Sequence, residues 1–178
     1  YNWKSNFFIA DFDRCTGLLN NPKVINVPLD SAGTNWEDHT MSGLVFSKNS
    51  QFIYIIKIGN IWQYDLNDSD SATAWHHVTY LDTTWAAFQG FVRSFLAPDG
   101  KIYIGNRNGV SKQMSTINNP DVKGAGCNFC PRCHRFQYAS ATNPPNMPNY
   151  DLGPLQPCWP VSSGEIEAVR SEMLVVYP

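Results

Sequence analysis

The sequence predicts an all-β chain whose short antiparallel strands form part of a propeller-like array. Three observations lead to this prediction. Runs of β-branched and aromatic residues are bounded by turn residues, no segment keeps a helical period, and one stretch recurs at an offset of about 50 residues. Charged residues make up only 16% of the chain, so small polar residues must cover much of its surface, as in turn-rich β proteins.

Short strands separated by turns are expected from the beginning of the chain. Each candidate run is rich in residues that favour strands and ends at Gly, Asn, Asp or Pro. The expected strands cover residues 7–13, 24–27, 43–46, 52–56 and 61–65.

The internal repeat gives the array its expected blade length. Residues 44–55 resemble residues 95–104, and both read as a strand, a polar turn and a strand with Ile-Tyr-Ile. Pro98-Asp99-Gly100 favours a turn because proline presets φ and glycine accepts a positive φ. A propeller needs four or more blades and the chain holds about two and a half. We therefore expect further blades before Tyr1 or on another chain.

The composition changes after residue 117, where proline becomes frequent. Of the 12 prolines, 9 lie from Pro120 onward, and proline lacks the donor that a strand ladder needs. We therefore predict three regions: incomplete blades over 1–117, a Pro/Cys-rich extended segment packed on them over 118–163, and a terminal strand or linker over 164–178.

Composition and motifs exclude several classes of function. The net charge is −2 without a basic run, which argues against nucleic acid. No apolar stretch is long enough to span a bilayer. The start at Tyr1 without Met leads us to expect a chain that was processed or cut from something longer. Motifs for a nucleophile elbow, a zinc protease or a phosphate loop are missing, so the sequence favours a non-enzymatic protein.

The order of four short motifs is similar to that in a known family. The motifs cover residues 12–17, 96–103, 117–129 and 148–154. Together they resemble the C-terminal propeller-like region of proteins exported by the type IX secretion system. Residues 175–178 look like the opening of that system's C-terminal sorting domain. The resemblance implies a secreted or surface-attached protein with a sorting domain just beyond residue 178, and it implies no catalytic residue.

The cysteines allow more than one chemistry. An oxidising compartment would pair four of the five and leave one thiol, and the disulfide candidates are Cys15, Cys127, Cys130, Cys133 and Cys158. In that interpretation the protein needs no cofactor.

A sharper feature is the segment from Cys130 to His134, which has the Cys-x-x-Cys-His spacing of haem c attachment. The two thiols would add to the vinyl groups of haem, and His134 would bind the iron. The second axial ligand would come from Met147, Met114, His39, His76 or His77. A third alternative is a zinc site at Cys127, Cys130, Cys133 and His134, although these ligands are closely spaced for a tetrahedron.

Aromatic and acidic residues provide two further candidate binding sites, one for a glycan and one for calcium. The six tryptophans suit blade packing, but Trp36, Trp75 and Trp85 lie in predicted loops and would stack on a glycan if exposed. Residues 67–71 either form a solvated turn or supply oxygen ligands to calcium.

The predicted function is therefore an extracellular binding or structural module. Its expected partners are the domains or chains that complete the propeller, together with a protein or glycan ligand. The alternative is electron transfer through one haem c.

Overall fold

The computed structural model describes residues 6–28, 41–82, 84, 90–107 and 111–139, and the strand backbone over 172–176. In these residues the regular elements are β-strands and one 3-10 turn, Gly124–Cys127, which confirms the all-β class and its antiparallel pairing. The strands are β1 Asn6–Phe12, β2 Leu19–Asn26, β3 Met41–Phe46, β4 Phe52–Lys57, β5 Asn60–Asp65, β6 Trp75–Tyr80, β7 Phe91–Leu96, β8 Ile102–Asn106, β9 Gln113–Ile117, β10 Phe129–Arg135 and β11 Glu172–Val176.

The chain divides into two compact units. One comprises Tyr1–Val27 with Pro148–Pro178 and contains the three-stranded sheet β11-β1-β2. The other, Pro28–Met147, contains two four-stranded sheets. This division differs from the expected one, which placed residues 1–117 together. The sequence did not show that β1 pairs with β11, a strand from the far end of the chain.

Each four-stranded sheet is a meander of consecutive strands. The first sheet has the order β3-β4-β5-β6, and the second sheet has the order β7-β8-β9-β10 when read from its first strand. The repeat found in the sequence falls on hairpins β3–β4 and β7–β8. Their turns both contain a residue with a positive φ, 59° at Ser50 and 79° at Gly100, and the first turn is one residue longer. Asn49 and Asp99 each accept the backbone N–H two residues later, at 3.0 and 3.1 Å.

Equivalent strand positions define equivalent faces of the two sheets. Tyr54 is opposite Val45 in the first sheet, and Tyr103 is opposite Phe95 in the second. Because side chains alternate along a strand, we call the side bearing Tyr54 or Tyr103 the tyrosine face. The other side, bearing Ile53 and Ile55 or Ile102 and Ile104, is the isoleucine face.

The two sheets pack through unlike faces. The tyrosine face of the first sheet meets the isoleucine face of the second, and β3 lies against β7. A Cβ at Gly43 would lie 3.2 Å from the Ser94 Oγ, so glycine permits this close approach. The buried cluster comprises Phe52, Tyr54, Ile56, Ile61, Phe91, Ile102, Ile104, Ile117 and Cys127.

The other face of the first sheet is buried as well. Ile53 and Ile55 are 0% exposed, and Lys57 is 1% exposed with its Nζ donating to the Pro28 carbonyl at 3.1 Å. Burial on both faces agrees with the nearly continuous apolar run of β4.

Strand β10 lies within the Pro/Cys-rich segment over 118–163 that was expected to run extended on the blades. It pairs with β9 and completes the second sheet as an edge strand. Pro131 is accommodated because the pairing is interrupted at this point, so its missing N–H removes no ladder hydrogen bond.

Candidate functional site

The Cys-x-x-Cys-His segment lies on β10, where the strand bulges. Cys130 is opposite Thr116 and His134 is opposite Met114, so three residues of β10 span the space facing Ser115. Arg132 adopts a φ of 51° and its N–H donates to the Ser115 Oγ at 3.1 Å. The bulge therefore turns the chain between the two cysteines.

This turn brings the two thiols together. The Sγ of Cys133 donates to the carbonyl of Cys130 at 3.3 Å. The thiols are also in hydrogen-bond contact, which together with burial raises the pKa of Cys130. Cys133 is exposed, Cys130 is half-buried, and neither forms a disulfide. The segment thus presents a reduced dithiol at a sheet edge.

His134 lies beside this dithiol on the tyrosine face of the second sheet. Its ring packs on Tyr103 with 5.1 Å between centroids, and Tyr103 in turn stacks on Phe95 at 5.9 Å. The Tyr103 hydroxyl donates to Asp99 at 2.9 Å. Burial, followed by this hydrogen bond, raises the pKa of Tyr103.

The haem interpretation depends on Cys130, Cys133 and His134, which the structure places on β10. The Nε2 of His134 is buried and has no hydrogen-bond partner among the described residues. Met147 lies outside the described residues. Haem binding stays a prediction, which the visible spectrum of the purified protein tests.

The structure separates the members of the proposed zinc site. Cys127 is 1% exposed within the core, where its thiol contacts the Tyr54 hydroxyl and burial raises its pKa. Cys130 and Cys133 instead lie on the edge strand. In the part of the chain that the structure describes, no group of three or more His, Cys, Asp or Glu side chains is placed to hold a metal.

The remaining cysteine candidates belong to the other unit. Cys15 is disulfide-bonded and follows an Asp13 turn whose carboxylate accepts the Cys15 N–H at 2.8 Å. Cys158 lies outside the described residues.

A polar network missed by the sequence reasoning joins the 118–128 loop to the first sheet. Gln63 is fully buried, and its Nε2 donates to the Tyr54 hydroxyl at 2.7 Å and to the Val122 carbonyl at 2.9 Å. Its Oε1 accepts the Gly124 N–H at 2.6 Å. The Tyr54 hydroxyl donates to the Pro120 carbonyl at 2.9 Å. One amide and one phenol therefore fix the loop on the sheet.

Lys123 of this loop occupies the acidic turn that was a calcium candidate. Its Nζ lies 3.3 Å from Asp65 and 3.4 Å from Asp68. The pKa of Asp68 is lowered first by the Asp70 N–H and then by the Thr73 hydroxyl. Burial acts to raise the pKa of Asp65, but hydrogen bonds, including one from Lys123, outweigh it and lower that pKa.

We expect the free energy of unfolding of Lys123→Met to fall less between neutral and acid pH than that of the wild type. The lowered pKa values of Asp65 and Asp68 contribute stability above the unfolded pKa of about 4, and that stability is lost as the pH falls through the folded values. Without Lys123 these pKa values rise towards the unfolded one, so less stability is lost. Urea unfolding between about pH 6 and pH 3 measures this difference. Lys112→Met, at the exposed position just before β9, is the matched control, and equal profiles for the two variants would contradict the prediction.

Trp75 begins β6 and does not lie in a loop. Its ring is half-buried, 4.8 Å from Tyr64 and 6.2 Å from Trp62 between centroids. It therefore packs against other aromatic rings of the first sheet, and a glycan contact would need one of its remaining edges. Trp36 and Trp85 lie outside the described residues.

The adjacent histidines of β6 point to opposite faces, as strand alternation predicts. His76 is opposite Gln63 and His77 is opposite Trp62. Burial, followed by the nearby charge of Lys123, lowers the pKa of His76. The pair therefore does not form one metal site.

Comparison with known proteins finds no matching family, no matching curated protein and no matching solved structure. Within the described residues there is also no helix long and apolar enough to cross a membrane.

Proposed function

We propose that this chain is part of an extracellular or cell-surface binding and structural module, in which β3–β6 and β7–β10 are neighbouring blades of a propeller-like array. The observation that carries the proposal is the packing of equivalent sheets through unlike faces. Sheets related by a rotation about a common axis pack in this way, because each presents one face to the sheet before it and the opposite face to the sheet after it.

The partly exposed Tyr103 on the second sheet supports a further neighbour. Tyr103 occupies the position of Tyr54, but it is half-buried where Tyr54 is 0% exposed. Thr116, opposite Tyr103, occupies the position of Gln63. Its Oγ1 is buried and has no hydrogen-bond partner among the described residues, whereas Gln63 binds the loop of the next sheet. A third sheet with a similar loop would complete this face.

The extracellular location is proposed from the sequence resemblance to type IX secretion cargo and agrees with the disulfide at Cys15. A binding or display role is proposed because the described residues form stacked sheets and loops, and the most distinctive polar cluster, around Gln63, is structural.

Protease treatment of intact cells of the native host tests this proposal. We expect an antibody raised against residues 41–135 to detect the protein on unpermeabilised cells or in the medium, and external protease to remove the cell-associated signal. A cytoplasmic protein of the same cells serves as the control and should survive. Recovery of the chain only after lysis would contradict the proposed location.

A further inference from the structure

We propose that Cys130 and Cys133 form a reversible dithiol–disulfide couple, in which Cys133 attacks a small-molecule disulfide such as oxidised glutathione and Cys130 resolves the adduct. This site is independent of the propeller proposal, because it depends only on the bulge of β10.

The first support is that the backbone already holds the sulfurs together. The positive φ of Arg132 and its N–H bond to the Ser115 Oγ turn the strand between the two cysteines. The Cys133 thiol consequently donates back to the Cys130 carbonyl at 3.3 Å. Closing a disulfide here would need side-chain rotation more than movement of the strand.

The second support is that the two thiols differ in access. Cys133 is exposed and can meet a disulfide from solution, whereas Cys130 is only half-exposed. Hydrogen bonding with Cys133 raises the pKa of Cys130. The difference in access assigns the attacking role to Cys133 and the resolving role to Cys130.

The third support is that the remaining described free thiol cannot compete. Cys127 is 1% exposed, lies in the core between the sheets and contacts the Tyr54 hydroxyl. A partner disulfide would have to open the core to reach it.

The exchange balances as two displacements. The Cys133 thiolate attacks one sulfur of oxidised glutathione, forming a mixed disulfide and releasing one glutathione thiolate. The Cys130 thiol then loses its proton and attacks the Cys133 sulfur, releasing the second glutathione. Two electrons pass from the protein dithiol to glutathione disulfide, and the two protein protons end on the two glutathione thiols.

The test uses the full chain, mildly reduced and then exposed to oxidised glutathione. Samples are alkylated over time and analysed by peptide mass mapping. We expect the wild-type protein to form a Cys130–Cys133 disulfide with little trapped adduct. Cys130→Ser should accumulate a glutathione adduct at Cys133. In Cys133→Ser, the adduct at Cys130 should form more slowly than this by about tenfold or more. Cys127→Ser is the control and should exchange like the wild type.

Two results would overturn the assignment. Equal rates of adduct formation in Cys130→Ser and Cys133→Ser would remove the distinction between attacking and resolving thiols. A wild-type product that carries stable glutathione on either cysteine, or pairs one of them with Cys127, would show that the bulge does not favour the internal disulfide. Circular dichroism of each variant checks that the sheets remain folded.

Discussion

Replacing Tyr54 with alanine is expected to lower the free energy of unfolding by about 3–5 kcal/mol. The ring is 0% exposed between the two sheets, so its removal leaves a cavity in the main cluster. It also removes the hydroxyl that binds Pro120 and Gln63. Urea unfolding monitored by tryptophan fluorescence gives the change.

Tyr103→Ala is the matched control for this prediction, since Tyr103 has the same place in the repeat. Its ring is half-buried and packs on Phe95 and His134 at the sheet surface. We expect it to cost less than about half as much as Tyr54→Ala, because less surface is lost and no large cavity forms. An equal cost would contradict the view that Tyr103 is less covered by its surroundings than Tyr54. Tyr54→Phe, which keeps the ring, should cost about 1–3 kcal/mol.

Gln63→Leu should have the second largest effect, a loss of roughly 3 kcal/mol or more, because leaving a buried polar group unpaired costs about 1–3 kcal/mol. The substitution deprives the Gly124 N–H and the Val122 carbonyl of their partner. We also expect the 118–128 loop to open locally, so that trypsin cleaves after Lys123 faster than in the wild type while the sheets remain folded. Unchanged cleavage at Lys123 would show that the amide does not hold the loop.

Gln63→Glu separates hydrogen bonding from shape. The carboxylate has the same size and can still accept from Gly124, but it cannot donate to Val122. Burial should raise its folded pKa above the unfolded value of about 4.3. The variant should therefore be closest to the wild type in acid and become less stable as the pH rises through the folded pKa. A pH-independent difference from the wild type would contradict this explanation.

Local sequence signals were sufficient for the hairpins. Proline at position 98 and glycine at position 100 favour the turn that forms there. The corresponding turn of the first hairpin has a φ of 59° at Ser50, a residue that tolerates positive φ less well than glycine. The repeat was visible because both copies must fill equivalent positions in a sheet.

Long-range partners were not accessible from the sequence in the same way. Gln63 meets Gly124 across 61 residues, and no local pattern distinguishes a buried glutamine that binds a loop from one on the surface. Strand β10 was missed because Pro131 and two cysteines make its composition resemble a loop, while the bulge that accommodates them depends on Ser115 of the neighbouring strand. The proximity of the two thiols follows from that bulge and not from their spacing alone.

The packing of unlike faces has a consequence for assembly. A self-complementary contact buries the same surface on both copies, so association stops at two. A head-to-tail contact leaves one binding surface free on each unit that is added. Such a series ends only by closing into a ring or by meeting a dissimilar cap. In the proposed propeller-like array, the angle between neighbouring sheets would therefore set the number of sheets that close the ring, and an uncovered sheet face at an end of the series would favour aggregation.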